Sequence, residues 1–145
     1  MVSKPELERL DADLAVQYRS YLECLNGRAW PNLDLHVRDD VVYNDQMIGL
    51  SGYRNMLQRD TGEIPDLSFR PGLLVVQPPY VAVRLEFDCS PVGRFLDLDV
   101  NGRRVSFTEN VFYRYQDARI AQVWSVIDKV AVERQLRGPV DQFVR

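Results

Sequence analysis

Arg104-Val-Ser-Phe-Thr-Glu-Asn-Val-Phe-Tyr-Arg-Tyr115, Gln116-Asp-Ala-Arg119 and Ile120-Ala-Gln-Val-Trp-Ser-Val-Ile-Asp128 follow one another without interruption, and their reading decides the fold. Two segments rich in β-branched and aromatic residues flank a short polar break at Asp117, which predicts a long β-hairpin. An amphipathic run ending Glu133-Arg134-Gln135-Leu136 then predicts a helix. Within the first strand, Phe107, Val111 and Tyr113 form an apolar row with Glu109 in its middle. A carboxylate in that place needs an explanation.

Side chains alternate along a strand, so the register of the hairpin decides what Glu109 faces. With Asp117-Ala118 as a two-residue loop, Tyr115 pairs with Ile120 and Glu109 with Val126, which puts Trp124 and Asp128 on the face of Glu109. With Gln116-Asp117-Ala118 as a type I turn closed by a left-handed residue, Tyr115 pairs with Arg119 and Glu109 lies opposite Ser125. Val111, Val123 and Ile127 then flank it. We favour the second register, because an apolar face with one hydroxyl is what a pocket lining requires. It asks Ala118 to adopt a conformation better suited to glycine, at about 1 kcal/mol.

Upstream, Ser3 and Glu6 form a capping box, and Leu7, Leu10, Leu14, Tyr18, Tyr21, Leu22 and Leu25 recur at helical spacing to give a stripe facing a core. Asn26-Gly27 stops that helix. A short helix is expected from Pro31 to Val37, then an extended piece from Val41 to Asn44. Gly49 to Gly52 read as a turn, and Tyr53, Met56 and Leu57 mark a third helix fading before Pro65. From Leu67 the pattern is strand: Leu73–Val76 and Tyr80–Cys89 are joined by Pro78-Pro79, and Val81, Val83, Leu85 and Phe87 alternate with Ala82, Arg84, Glu86 and Asp88. A loop from Ser90 to Gly102, turning at Gly93 and Asn101-Gly102, leads into the hairpin. Helices followed by a mostly antiparallel sheet define an α+β fold. Its expected form is a cone, with the N-terminal helices over the concave face of a curved sheet and a pocket between them.

The chain of 145 residues is expected to form one domain, with a core at about 7–136 and a tail at 137–145. Its 18 basic and 21 acidic residues leave a net charge of -3 and no basic stripe, which argues against a nucleic-acid partner. The N-terminus has no hydrophobic signal core, and no apolar run approaches the ~20 residues that span a bilayer. A cytoplasmic protein without a membrane partner is expected. Cys24 and Cys89 read as small buried hydrophobes, and His36 as a solvent-exposed residue that alone makes no metal site.

Several features converge: Gly93-Arg94-Phe95-Leu96, Asn101-Gly102-Arg103-Arg104-Val105, Tyr113-Arg114, Ile120, Trp124, Asp128 and Gln135-Leu136, in this order of elements. From about Leu7 to Leu136 the chain resembles the SnoaL-like polyketide cyclases, members of the nuclear-transport-factor-two-like superfamily of cone-shaped α+β barrels. The resemblance implies cofactor-free closure of a ring by intramolecular aldol condensation of a polyketide ester. It also implies a pocket aspartate one position after Trp124, where this chain has Ser125. The family's Gln and His on the preceding strand correspond to Glu109 and Val111, and its first-strand Asn or His corresponds to Tyr43. The carboxylate has thus moved to the facing strand, and cross-strand neighbours lie about 5 Å apart.

A base that takes a proton next to a carbonyl needs a pKa near the working pH, and burial moves a carboxylate in that direction. Ketosteroid isomerase pairs such a base with hydrogen-bond donors at the enolate oxygen. By that analogy Glu109 is the expected general base, with Ser125 and Tyr43 as donors and Asp128 as a second-choice acid or base. Asp128 is equally placed to cap the last helix. Val111, Tyr113, Trp124, Phe107, Tyr18 and Tyr53 are the expected substrate contacts, although Trp124 also suits sheet packing. Asn110, Arg84, Glu86 and Asp88 belong to the opposite face. The expected function is a cofactor-free cyclase or isomerase of a small keto or ester compound. The alternative is a non-catalytic carrier of small apolar ligands. A homodimer through the outer face of the sheet is also expected.

Overall fold

The computed structural model describes residues 2–137. Helix α1 (Lys4–Asn26) starts where Ser3 Oγ accepts the Glu6 N–H at 3.3 Å, with Pro5 in its first turn. Tyr18, Tyr21, Leu22 and Leu25 bury the inner face of α1, each contributing about 1.5–3 kcal/mol. The apolar stripe is shorter than expected: Leu7 and Leu10 are 51% and 43% exposed, because burial of the helix begins only at Leu14. The helix ends at Asn26 as predicted, but Gly27 keeps a right-handed φ of -82° and Arg28 takes the left-handed one, +54°.

Asn26 fastens this end. Its side-chain amide donates to Phe69 O at 3.1 Å while its oxygen accepts Phe69 N–H at 2.7 Å. Arg28 adds bonds to the carbonyls of Leu25 and Leu67.

A 3-10 helix (Trp30–Leu35) replaces the expected helix at 31–37 and feeds strand β1 (Val37–Tyr43), which turns through left-handed Asn44 and Asp45 into β2 (Gln46–Met47). Helix α2 spans Gly49–Glu63, so the turn expected at Gly49–Gly52 is helical. First-turn N–H groups need no partner inside the helix, and a glycine there costs little. Gly49 needs its lack of a side chain, with φ at +68° and the Asp39 carbonyl 3.2 Å from where a Cβ would sit.

Strands β3 (Arg70–Gln77) and β4 (Tyr80–Cys89) form the expected hairpin. The loop to Gly102 contains a small hairpin, β5 (Arg94–Phe95) and β6 (Leu98–Asp99), which lays Phe95 on Phe107. Strands β7 (Val105–Gln116) and β8 (Arg119–Ile127) complete the main sheet, and α3 (Lys129–Arg137) follows. The sheet order is β2-β1-β8-β7-β4-β3, antiparallel apart from the β1–β8 pair. The α+β architecture is as read from the sequence: a curved sheet with the N-terminal helices on its concave face. The tail at 138–145 lies outside the described residues. Among the described residues, no helix is long and apolar enough to cross a membrane.

The β7–β8 register corrects the sequence reading. The turn is the two-residue one, with Asp117 and Ala118 both left-handed (φ +53° and +63°), so Tyr115 lies opposite Ile120 rather than Arg119. Such a turn twists in the same sense as its strands, and Arg38 holds the Asp117 carboxylate at 2.9 Å. The ladder then slips by one residue at Ala121, which bulges, and Glu109 falls opposite Ile127, not Ser125 or Val126. Ile127 and Ser125 are two residues apart and share a face. Glu109, Val111, Val123 and Ser125 therefore point together into the concave side despite the changed register. Trp124 pairs with Phe112 on the outer face, where Phe112 and Val126 are 57% and 71% exposed.

Replacing Asn26 with Ala leaves the Phe69 amide without its partner. We expect a loss of about 1–3 kcal/mol in urea denaturation, with the secondary structure seen by circular dichroism unchanged.

Candidate active site

Glu109 sits on β7 between Phe107 and Val111, and its carboxylate accepts a hydrogen bond from the Ser125 hydroxyl on β8. Asn44 fixes that serine. Its oxygen accepts Ser125 N–H at 2.8 Å and its amide donates to Ser125 O at 3.3 Å, extending the sheet ladder one step past the end of β1. Among the described residues no guanidinium or ammonium pairs with Glu109; Ser125 is its side-chain partner.

Two small hollows meet at this carboxylate. One, of about 40 Å3, is lined by Phe69, Phe87, Phe95 and Phe107 together with Ile64 and Leu67. The other, of about 60 Å3, is lined by Tyr21, Tyr43, Tyr53 and Tyr113 with Met56 and Val111. Glu109, Asp60, Phe69 and Ile127 border both. A phenylalanine half and a tyrosine half therefore share a wall bearing two carboxyl groups.

The phenols are organised among themselves. Tyr21 and Tyr53 share a hydroxyl hydrogen bond of 2.6 Å, and Tyr18 OH donates to Tyr113 OH at 3.4 Å. Burial, followed by the Tyr53 phenol, pushes the Tyr21 pKa well above its ordinary value. Burial likewise raises that of Tyr53, with the Glu109 charge adding to it, and raises that of half-buried Tyr43, where Ser125 opposes the shift and Glu109 adds to it. All three remain protonated donors near neutral pH.

The carboxyls shift the same way. Burial raises the pKa of Glu109, and the Ser125 hydrogen bond partly offsets this by favouring the charged form. Burial also raises Asp60 on α2, to about 7, and the Glu109 charge adds to the shift. The Glu109 charge helps hold the proton on Asp60, in a titration that belongs to the pair.

Six of the expected site residues border these hollows, Glu109, Tyr43, Val111, Tyr113, Phe107 and Tyr53, and a seventh, Ser125, is bonded to Glu109. Tyr18 stands one layer behind, its ring 5.0 Å from that of Tyr113. Trp124 is not a substrate contact of this pocket, because the bulge at Ala121 leaves it on the outer face with its indole N–H on Asp45 at 3.3 Å. Asp128 is a cap, accepting Ala131 N–H at 3.1 Å outside the hollows. His36 is half-buried rather than exposed, 6.3 Å from the Tyr21 ring, and burial lowers its pKa. Among the described residues, no three His, Cys, Asp or Glu side chains cluster to hold a metal ion.

Asp60 is the site residue missed from the sequence. Tyr53, Met56, Leu57, Asp60 and Ile64 stand at i, i+3, i+4, i+7 and i+11, and the acid interrupts the apolar face of α2 much as Glu109 interrupts that of β7. A larger hollow of about 680 Å3 lies on the outer face among Leu73, Val75, Phe112, Trp124 and Val126. It has neither carboxylate, and Asn44, Arg84, Asn110 and Ser125 complete its mainly apolar lining.

The family profile described as SnoaL-like polyketide cyclase matches residues 15–136. A SnoaL-like polyketide cyclase from Agrobacterium tumefaciens is 51% identical, with a TM-score of 0.83 over 85% of this chain and 97% of that one. TsrD from Streptomyces laurentii (23% identity, TM-score 0.76, 94% and 98% covered) shares the fold. So does AclR, a proposed hydroxylase from Streptomyces galilaeus (18%, TM-score 0.73, 89% and 98% covered). No curated protein sequence matches the chain.

Both carboxyls bind protons more tightly in the folded chain than in the unfolded one, so stability falls as pH rises from the ordinary carboxylate range through about 7. Asp60→Asn should flatten this decline and leave the variant about 1–3 kcal/mol more stable than the parent at pH 8, with little difference at pH 4. Urea denaturation across this range measures it.

Proposed function

Because the chain belongs to the SnoaL-like polyketide cyclase family, we propose that it is a cofactor-free cyclase or isomerase of a small keto or ester compound, working by proton transfer in the inner hollow. The observation that carries this reading is Glu109: a carboxylate pointing into an aromatic hollow, without a cation partner among the described residues and with its pKa raised by burial. A structural acceptor would be paired with a donor strong enough to hold it ionised. A base benefits from being only partly satisfied.

In the first step Glu109 takes a proton from the carbon next to the substrate carbonyl. The C–H electrons form the enolate double bond, and charge collects on the carbonyl oxygen. Tyr43, half-buried, protonated and on the wall of the tyrosine half, is the donor we assign to that oxygen. Ser125 has one hydroxyl proton and gives it to Glu109, so it orients and tempers the base rather than stabilising the enolate. The delocalised enolate then either attacks a second carbonyl of the same molecule, closing a ring, or is reprotonated at another carbon. The family label favours ring closure. A carrier of apolar ligands would use the same aromatic lining, but a carboxylate at the join of the two hollows would oppose it.

We further propose that two copies pair through the outer sheet face, where Leu73, Val75, Phe112 and Val126 are exposed. Light scattering should then give a dimer for the parent and a monomer for Phe112→Asp; a monomeric parent ends that part.

Deuterium exchange at the α-carbons of cyclopentanone and 2-tetralone, followed by NMR, tests the chemistry without knowledge of the natural substrate. Exchange should be catalysed by the parent, fall by ~10²–10⁴ in Glu109→Gln, and fall by ~10² in Tyr43→Phe. An active Glu109→Gln variant, or a parent no faster than buffer with either ketone, would contradict the assignment.

A further inference from the structure

Glu109 as base and Tyr43 as hydrogen-bond donor still leave the enolate oxygen without a proton. When Glu109 takes the carbon proton, an enolate in an aromatic hollow is costly unless its oxygen is protonated at the same time, because the surroundings that raise the Glu109 pKa also penalise any other buried negative charge. An acid is needed on the other side of the substrate. Asp60 is placed there. It lies on α2, in the layer of helices, whereas Glu109 lies on the sheet, and the two carboxyls border the same pair of hollows.

We infer that Asp60 is the general acid of this site, a catalytic residue that protonates the substrate oxygen as Glu109 deprotonates the neighbouring carbon. This rests on the proton-transfer reading of Glu109 above and adds a second participant to it.

The proposal stands first on placement. Among the described residues, the Asp60 carboxyl makes no side-chain hydrogen bond or ion pair, although it is half-buried at the junction of the phenylalanine and tyrosine halves. Groups that bear on its charge come from three elements: Arg59 and Glu63 on α2 itself, Glu109 on β7 and Tyr43 on β1. Arg59 favours the ionised form, while Glu63 and Glu109 oppose it. With Glu109 ionised, the balance leaves Asp60 holding its proton near neutral pH.

Proton accounting closes over a full cycle. Glu109 carboxylate takes the α-proton as the C–H bond breaks, and Asp60 gives its proton to the carbonyl oxygen as the C=O π bond becomes a lone pair. The products of this step are the enol, a protonated Glu109 and an ionised Asp60. In ring closure, the enol carbon then forms a C–C bond to a second carbonyl. That carbonyl's oxygen takes the proton from Glu109, and the enol O–H returns its proton to Asp60. In isomerisation, Glu109 returns its proton to a different carbon instead. Either route restores the starting protonation of both acids with no external reagent.

Two measurements test this. Carboxyl-carbon NMR titration of the parent should place Asp60 near pH 7 and lower in Glu109→Gln, where the opposing charge is gone; an Asp60 titrating in the ordinary carboxylate range in the parent overturns the inference. In the ketone exchange assay, Asp60→Asn should reduce kcat by ~10²–10³ with KM nearly unchanged. It should also abolish the fall in rate above about pH 7, and Asp60→Glu should recover part of the loss. If Asp60→Asn keeps both the parental rate and that alkaline fall while Glu109→Gln is inactive, the acid role is wrong and the base role stands. If Glu109→Gln remains active, the underlying reading fails instead.

Discussion

A half-buried carboxylate without a cation has to be held by hydrogen bonds, and among the described residues Glu109 has one from a side chain, the proton of Ser125. The rest of the site follows from keeping that serine where it is. Ser125 lies on the same face as Glu109 because the bulge at Ala121 and the two-residue turn at Asp117-Ala118 together shift the β8 ladder by an amount that preserves parity. Asn44 then grips the backbone of Ser125 from the end of β1, so the serine answers to two neighbouring strands at once. With the serine proton committed, the carboxylate is neither fully satisfied nor free, which suits a group that must take and return a proton.

Asn44 is one of three side-chain amides that do the same job at three boundaries of the fold. Each accepts a backbone N–H and donates to the carbonyl of the same residue, as a neighbouring strand would. Asn26 joins the end of α1 to Phe69 ahead of β3, and Gln135 joins α3 to Ser106 at the start of β7, with distances of 2.7 and 2.5 Å. The helices are thereby tied to the sheet at its margins, while the middle of the concave face carries side chains that need not pack tightly. A hollow can persist there because the edges, rather than its lining, hold the layers together.

Much of this architecture was legible in the chain. The alternation along β4 and the placement of Glu109 within the apolar row of β7 predicted both the sheet and its acidic interruption, and the structure bears out each. The register is not legible in the same way, because periodicity of two fixes only which residues share a face. A bulge is invisible to it, and nothing in Ile120-Ala121-Gln122 announces that Ala121 drops out of the ladder. Trp124 followed from the same ambiguity, since any one-residue slip moves it through the sheet. Leu7 and Leu10 show the converse limit: a helical stripe says which way a residue points, not whether anything is there to cover it. Asp60 is legible in principle, at helical spacing with Tyr53, Met56, Leu57 and Ile64, but a turn at Gly49–Gly52 and a helix fading before Pro65 hide how far that apolar face runs.

The central claim is that Glu109 is half-shielded from water while Ser125 holds it, and the carboxyl-carbon titration of Glu109 itself, in the parent and in Ser125→Ala, tests it most directly. The account predicts a midpoint above the ordinary glutamate value in the parent, moving higher still in the variant, because the lost hydrogen bond favoured the charged form. A parental midpoint at or below that ordinary value, unmoved by loss of the serine hydroxyl, would contradict it.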